Sequence, residues 1–335
     1  PAIPLPSAHF NTVLYTGNGA DDRNMTGVGF QPDFVWLKSR SGANNHYLYD
    51  AIRGPNKQIL SNASVAEGNI ADRMQAFQSD GFQLGTSSEI NNNGHNYVSW
   101  NWKANGAGSN DTSGDIDATV SANQTAGFSI VNYVPNGTAS ATVPHGLGVA
   151  PEMVFYKRYN SSSQWFCWTT VIDGSDDYLV LDSTDAAAAV SQAGGTSFTS
   201  SFIRATNYGA SGSPEVVAYC FASKPSFSKV GIYTGNGNAD GPFVNTGFKP
   251  AWVLIKDTTG SSNGWILFDS ARSPFNEVGL YLLPNSSAAE ADYDRIDLLS
   301  NGFKLRHNYG GDNANNSVYL YIAFAEAPFK YANAR

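Results

Sequence analysis

Gly29-Phe30-Gln31-Pro32-Asp33-Phe34-Val35-Trp36-Leu37-Lys38 is the stretch whose reading decides the fold. Glycine and proline set a turn, and the aromatic and β-branched residues that follow, closing on a charge, are those of a strand entered from it. The block returns as Gly148-Val149-Ala150-Pro151-Glu152-Met153-Val154-Phe155-Tyr156-Lys157. It returns again as Gly247-Phe248-Lys249-Pro250-Ala251-Trp252-Val253-Leu254-Ile255-Lys256.

Working outward, each block is preceded by a strand and a tight turn: Tyr15-Thr16-Gly17-Asn18-Gly19, Tyr133-Val134-Pro135-Asn136-Gly137 and Tyr233-Thr234-Gly235-Asn236-Gly237. Asn and Gly tolerate the positive φ that such turns need, so backbone geometry alone explains their recurrence. Downstream, Asp50-Ala51-Ile52-Arg53 aligns with Asp269-Ser270-Ala271-Arg272, and Asp80-Gly81-Phe82 with Asn301-Gly302-Phe303. Closing strands end near Trp102, Phe221 and Phe324. In the middle copy, Thr170 and Asp173 are read opposite Asp50 and Arg53.

A repeat of this length predicts an all-β fold of three tandem antiparallel β-sandwich repeats, each with its own core. They are placed at 1–106, 127–225 (divergent) and 226–335, with the Gly/Ser/Asn/Asp-rich stretch 107–126 as a linker or long loop. Whether the strand order is jelly-roll-like is left open. Helix is limited to one short piece per unit, expected at Ala186 to Gln192 and at its counterparts Ala63 to Phe77 and Ser287 to Leu299.

Composition narrows the function classes. Charged residues are 14% of the 335, the net charge is −8 and no Lys/Arg cluster occurs, which argues against nucleic acid as a partner. No apolar run reaches a membrane span, and the Pro1-Ala2-Ile3-Pro4-Leu5-Pro6 start lacks signal-peptide regions, so a soluble chain without membrane insertion is expected. The two cysteines, Cys167 and Cys220, sit in apolar stretches and read as buried thiols. His9, His46, His95, His145 and His307 have no zinc-ligand spacing, and no nucleophile elbow or phosphate loop is present.

Four groups of residues are candidates for function. Asp50 with Arg53, and Asp269 with Arg272, are read as structural ion pairs tying a loop. Asp21, Asp22 and Asp240, in matching loops after the Asn-Gly turns, could hold a hard cation such as Ca²⁺; no other cofactor is expected. Asp21, Asp22, Asp176, Asp177, Asp292 and Asp294 offer acids for glycoside cleavage, with no pairing among them marked by the sequence. Trp36, Trp100, Trp102 and Trp252 are assigned to the core, whereas Trp165 and Trp265, beside Ser161-Ser162-Ser163 and Ser261-Ser262-Asn263-Gly264, are the candidates for ligand contact at the surface.

Tyr15-Thr16-Gly17-Asn18-Gly19, the Gly29 to Arg40 segment, Tyr49-Asp50-Ala51-Ile52-Arg53-Gly54, Ser79-Asp80-Gly81-Phe82 and Trp100-Asn101-Trp102-Lys103-Ala104 together resemble a repeat of virion structural and tail-fibre-like proteins of marine tailed phages, especially cyanophages. The resemblance covers nearly the whole chain and is weakest in the middle copy. It implies a place on the virion surface, in a fibre, tail appendage or decoration, and carries over no catalytic residues. The resulting expectation is a non-enzymatic adhesion module presenting loops to a host-surface glycan or to other virion proteins. A purely structural decoration protein and a polysaccharide-degrading enzyme are the alternatives. A homotrimer and a pseudo-threefold arrangement within one chain are both compatible with the repeat.

Overall fold

The computed structural model describes residues 5–138, 140–190, 198–206, 213–260 and 262–328. It is an all-β protein built from antiparallel sheets, with one-turn α-helices at Ser88–Asn91 and Gly310–Asn313.

The strand Phe34–Ser39 explains the architecture. Every residue in it is buried, so it is covered on both faces, unlike the half-solvated strand of a free-standing sandwich. Side chains alternate across a strand. Val35 and Leu37 enter a core with Met25, Met74 and Phe82, whereas Phe34 and Trp36 enter a different one. The same division occurs at Met153–Arg158, where Met153 and Phe155 part from Val154 and Tyr156. At Phe248–Asp257, Trp252 and Leu254 likewise part from Val253 and Ile255.

Three large sheets result, here called the first, second and third units in chain order. The first runs Phe10–Thr16, Asn96–Trp102, Phe34–Ser39, His46–Asp50, Gly54–Leu60, Gly68–Asn69, and is backed by a small sheet of Arg23–Met25, Gly81–Leu84 and Met74–Gln78. In the second, Phe128–Tyr133, Val216–Phe221, Met153–Arg158, Trp165–Thr169 and Asp177–Val180 follow the same order. In the third, so do Ser228–Thr234, Val318–Pro328, Phe248–Asp257, Trp265–Asp269 and Val278–Leu282. In each, the closing strand slots between the opening strand and the Pro/Lys strand. That register sets Phe34 opposite Trp102, Met153 opposite Phe221 and Trp252 opposite Phe324.

The outward face of each sheet has its own core, but the inward faces share one. Aromatic rings knit it together: Phe10 on Phe324 at 4.9 Å, Trp102 on Trp252 at 5.7 Å, Phe34 on Tyr219 at 4.3 Å and Phe155 on Trp265 at 6.3 Å. Such pairs add to the large apolar area each ring removes from water. The expectation of separately cored units is therefore corrected: each sheet is unable to bury its inward face without the other two.

Two further expectations change. The stretch 107–126 is not a linker, because Ser109–Asp111 and Ala118–Asn123 extend the second sheet, Ala118 to Asn123 pairing with Tyr133 to Phe128. Ser109, Asn110 and Asp111 form its edge strand, where a solvated face suits them. Of the segments expected to be helical, 63–77 holds the strand Gly68–Asn69 and most of Met74–Gln78, 287–299 holds Ala291–Leu299, and 186–190 holds Ala188–Ala189, while 191–192 lie outside the described residues. Sheet pairing overrides their weak helix propensity.

Candidate functional site

Three polar seams join the units, and each is built from equivalent residues. Lys38, Lys157 and Lys256 end the Pro/Lys strands and are buried. Lys38 Nζ donates to Ser287 O of the third unit at 3.2 Å, Lys157 Nζ to Ser64 O of the first at 3.1 Å, and Lys256 Nζ to Thr184 O of the second at 3.1 Å. Each also donates to its own turn: Lys38 to Ser39 O and Gly42 O, Lys157 to Ser163 O, and Lys256 to Asp257 O and Asn263 O. Burial pulls all three ammonium groups down to a pKa of about 8.

Two residues beyond each lysine, a backbone carbonyl receives an amide from the neighbouring unit: Glu290 N to Arg40 O at 3.1 Å, Glu67 N to Tyr159 O at 2.7 Å and Ala187 N to Thr258 O at 2.9 Å. The first unit contacts the third, the second the first and the third the second, so the arrangement closes into a ring.

Trp165 and Trp265 belong to these seams, which overturns their assignment to the surface. They are 0% and 1% exposed, and their Nε1 atoms donate across the seams to Leu60 O at 2.7 Å and Val180 O at 2.9 Å. Beside Trp165, Ser163 N and Ser162 Oγ both donate to Ser64 O of the first unit, so the turn is tied to a neighbouring sheet although Ser162 itself is exposed. His46 takes the equivalent place in the first unit. Its Nδ1 accepts from Trp36 Nε1 at 2.9 Å, its ring faces the Leu283 backbone, and burial keeps it neutral.

Arg53 Nε donates to Asp50 Oδ2 at 2.6 Å and Arg272 Nε to Asp269 Oδ2 at 2.5 Å, all four side chains being buried. The same carboxylate oxygens accept from neighbouring units, Tyr219 Oη to Asp50 at 2.7 Å and Trp100 Nε1 to Asp269 at 3.0 Å. Glu67 and Glu290 complete the two networks, and Glu290 also pairs with Arg40 of the first unit at 2.8 Å. In the second unit the strand register places Thr169, not Thr170, opposite Asp50 and Asp269, because Met153 pairs with Thr169 as Phe34 does with Asp50. The residue of the third unit in register with Trp100 and Tyr219 is Ile322. Acid and donor are absent from that seam together.

The remaining candidates lie apart from the seams. Asp21, Asp22 and Asp240 are exposed; Asp21 accepts from Gln75, and Asp240 pairs with Lys304 at 2.7 Å, which holds its carboxyl below the usual range. Among the described residues no group of three or more His, Cys, Asp or Glu side chains stands together. Cys167 lies in the shared core and Cys220 in the second unit's own core, both as free thiols.

One cavity on the ring has a built polar wall that the sequence did not reveal. It measures about 320 Å³ and lies where Thr184 of the second unit meets Asn263, Asn285, Tyr281, Arg295 and Tyr309 of the third. The Arg295 guanidinium lies 4.2 Å from the Tyr281 ring centroid and 4.3 Å from that of Tyr309. Its contact with Asp312 is long, 3.5 Å, and both Arg295 Nε and Asp312 Oδ1 are buried without a hydrogen bond among the described residues. Burial pushes the Asp312 carboxyl up to about 7.

Fold and seams together define a sandwich-like ring protein whose buried polar groups hold its sheets to one another. The chain belongs to the family described as a domain of unknown function, DUF7483, whose model matches residues 5–328. That single match runs through all three sheets. No curated protein and no solved structure gives a match.

Proposed function

We propose that the chain is a non-enzymatic surface protein of a phage particle, a fibre, tail-appendage or adhesion module that presents its outer loops to a host-surface glycan or to other virion proteins. The observation that carries this reading is the closed ring. The polar residues repeated along the chain, the lysines and the Asp–Arg pairs, are fastened inside seams, so the freedom to vary falls to peripheral loops on a rigid base, where recognition is usually built. Exposed aromatic groups such as Phe275 and Tyr309 sit on those loops, and the resemblance of the sequence to phage repeats points the same way.

The reading is tested on purified particles. Immunogold labelling or particle reconstruction is expected to place the protein on the outside at fixed copy number, and the isolated protein is expected to bind host cells. Absence from the particle defeats the proposal. Presence without cell binding favours a decoration role.

A further inference from the structure

The first unit contains its own reference for the cavity in the third. Arg73 and Arg295 precede equivalent strand pairs, Met74 facing Leu84 and Ile296 facing Leu305. In the first unit the arginine has internal partners, although its Nε, like that of Arg295, is buried without a hydrogen bond among the described residues. Arg73 packs 4.6 Å from the Tyr47 ring and donates to Gln58 Oε1. The nearby Glu89 carboxylate accepts from Tyr47 Oη at 2.6 Å and from Asn44 Nδ2 at 2.8 Å, and is held below its ordinary pKa, chiefly by the Tyr47 hydrogen bond and in part by the charge of Arg73.

In the third unit neither Gln58 nor Glu89 has a counterpart that accepts, and Asp312 supplies the arginine's carboxylate contact. The strand register replaces Gln58 with Tyr281. Asn91 and Asn313 fasten the opening turns in the same way, through Asn18 N and Asn236 N, so Glu89 corresponds to Gly311. A Cβ at Gly311 would meet Tyr309 Cε1 at 2.5 Å; the missing side chain is what lets the Tyr309 ring lie over the guanidinium. The third unit thus keeps a single, long carboxylate contact to its arginine, from Asp312 at 3.5 Å, and sets the guanidinium between two aromatic faces, beside a cavity edged by Asn263 and Asn285.

We propose that this cavity binds a single acidic sugar residue. Its carboxylate takes the role that Glu89 plays in the first unit and pairs with Arg295, a C–H face of its ring rests on Tyr309, and its hydroxyls meet the two asparagine amides. A guanidinium is well suited to a carboxylate, an aromatic face to a sugar ring, and the volume lies at the small end of ligand pockets. The inference rests on the display reading for where such a sugar would be met, and it names the ligand class of that display.

Calorimetric titration of the intact chain with galacturonate and N-acetylneuraminate, with galactose as the neutral control, tests it. Saturable binding of at least one acid at millimolar concentrations is expected, with galactose silent. Tyr309→Ala, at a half-exposed position, is expected to weaken binding about tenfold while leaving the melting temperature unchanged, and Arg295→Gln to abolish it. Equal binding of galactose, no binding of either acid, or binding that survives both substitutions overturns the proposal. Acid-sugar binding by a protein missing from particles would defeat the display reading instead and leave this site standing.

Discussion

At the scale of single residues, a lysine at the end of a strand covered on both faces has its stem in the apolar layer and its ammonium group at the boundary, where carbonyls must replace water. Lys256→Met keeps the stem and removes the donor shared by Thr184 O, Asp257 O and Asn263 O. Denaturant titration is expected to show a loss of about 2–4 kcal/mol. The pH dependence has a definite sign. With a folded pKa of about 8 against an ordinary 10.5, the unfolded chain holds more protons between those values, so this lysine's contribution to stability rises with pH through that window. The gap between wild type and Lys256→Met is expected to widen by about 2 kcal/mol from about pH 7.5 to about pH 9.5. Asp312 has the opposite sign. Its carboxyl is raised to about 7, so stability from this group is complete below the ordinary carboxylate range and is lost as pH climbs through 7. Asp312→Asn should flatten the decline between about pH 4 and about pH 7, and a profile as steep as wild type would refute the assignment.

At the scale of elements, strands were legible and seams were not. Phe34 to Lys38 and its two counterparts announce strands through aromatic and β-branched content, and Asn-Gly announces the turns. The clue to double-sided burial was the lack of polar alternation in Val35-Trp36-Leu37. The serines beside Trp165 imitate a solvent-facing turn, since a residue paired with another sheet's carbonyl looks the same in sequence as one paired with water. The Arg295 cavity depends on the contrast of Glu89 with Gly311, which becomes readable once the units are superposed strand by strand. Gly17 illustrates how closely elements meet: it ends the opening strand against the helix Ser88–Asn91, and a Cβ there would stand 2.1 Å from Asn92 O. Gly235 makes the same approach to Ala314 O, at 2.3 Å. Gly17→Ala is expected to lower stability by about 2 kcal/mol or more, measured by thermal unfolding, with the larger effect on exchange of amides in Phe10–Thr16.

At the scale of the whole molecule, three inward faces without separate cores make unfolding a joint event. Calorimetry is expected to show one transition, and residues 107–225 expressed alone should not fold, because Met153, Phe155, Trp165, Leu179 and Phe221 would lose the partners that cover them. Three resolved transitions, or a folded fragment, would disprove this. Asp269→Ala strips Arg272 of one of its two carboxylates, leaving Glu290, and Trp100 of its acceptor, and is expected to cost about 2–3 kcal/mol across the seam between the first and third units. Closure within one polypeptide has a further result. A ring of three identical subunits comes apart on dilution and repeats every substitution three times; here the tether fixes the local concentration of the parts, and each sector is free to change alone. The middle sector carries Thr169 where its siblings carry an acid, and the last sets Tyr281 and Tyr309 around its arginine where the first uses Gln58 and Tyr47, so one covalent ring can carry three unlike faces into a crowded or a very dilute medium with the same integrity.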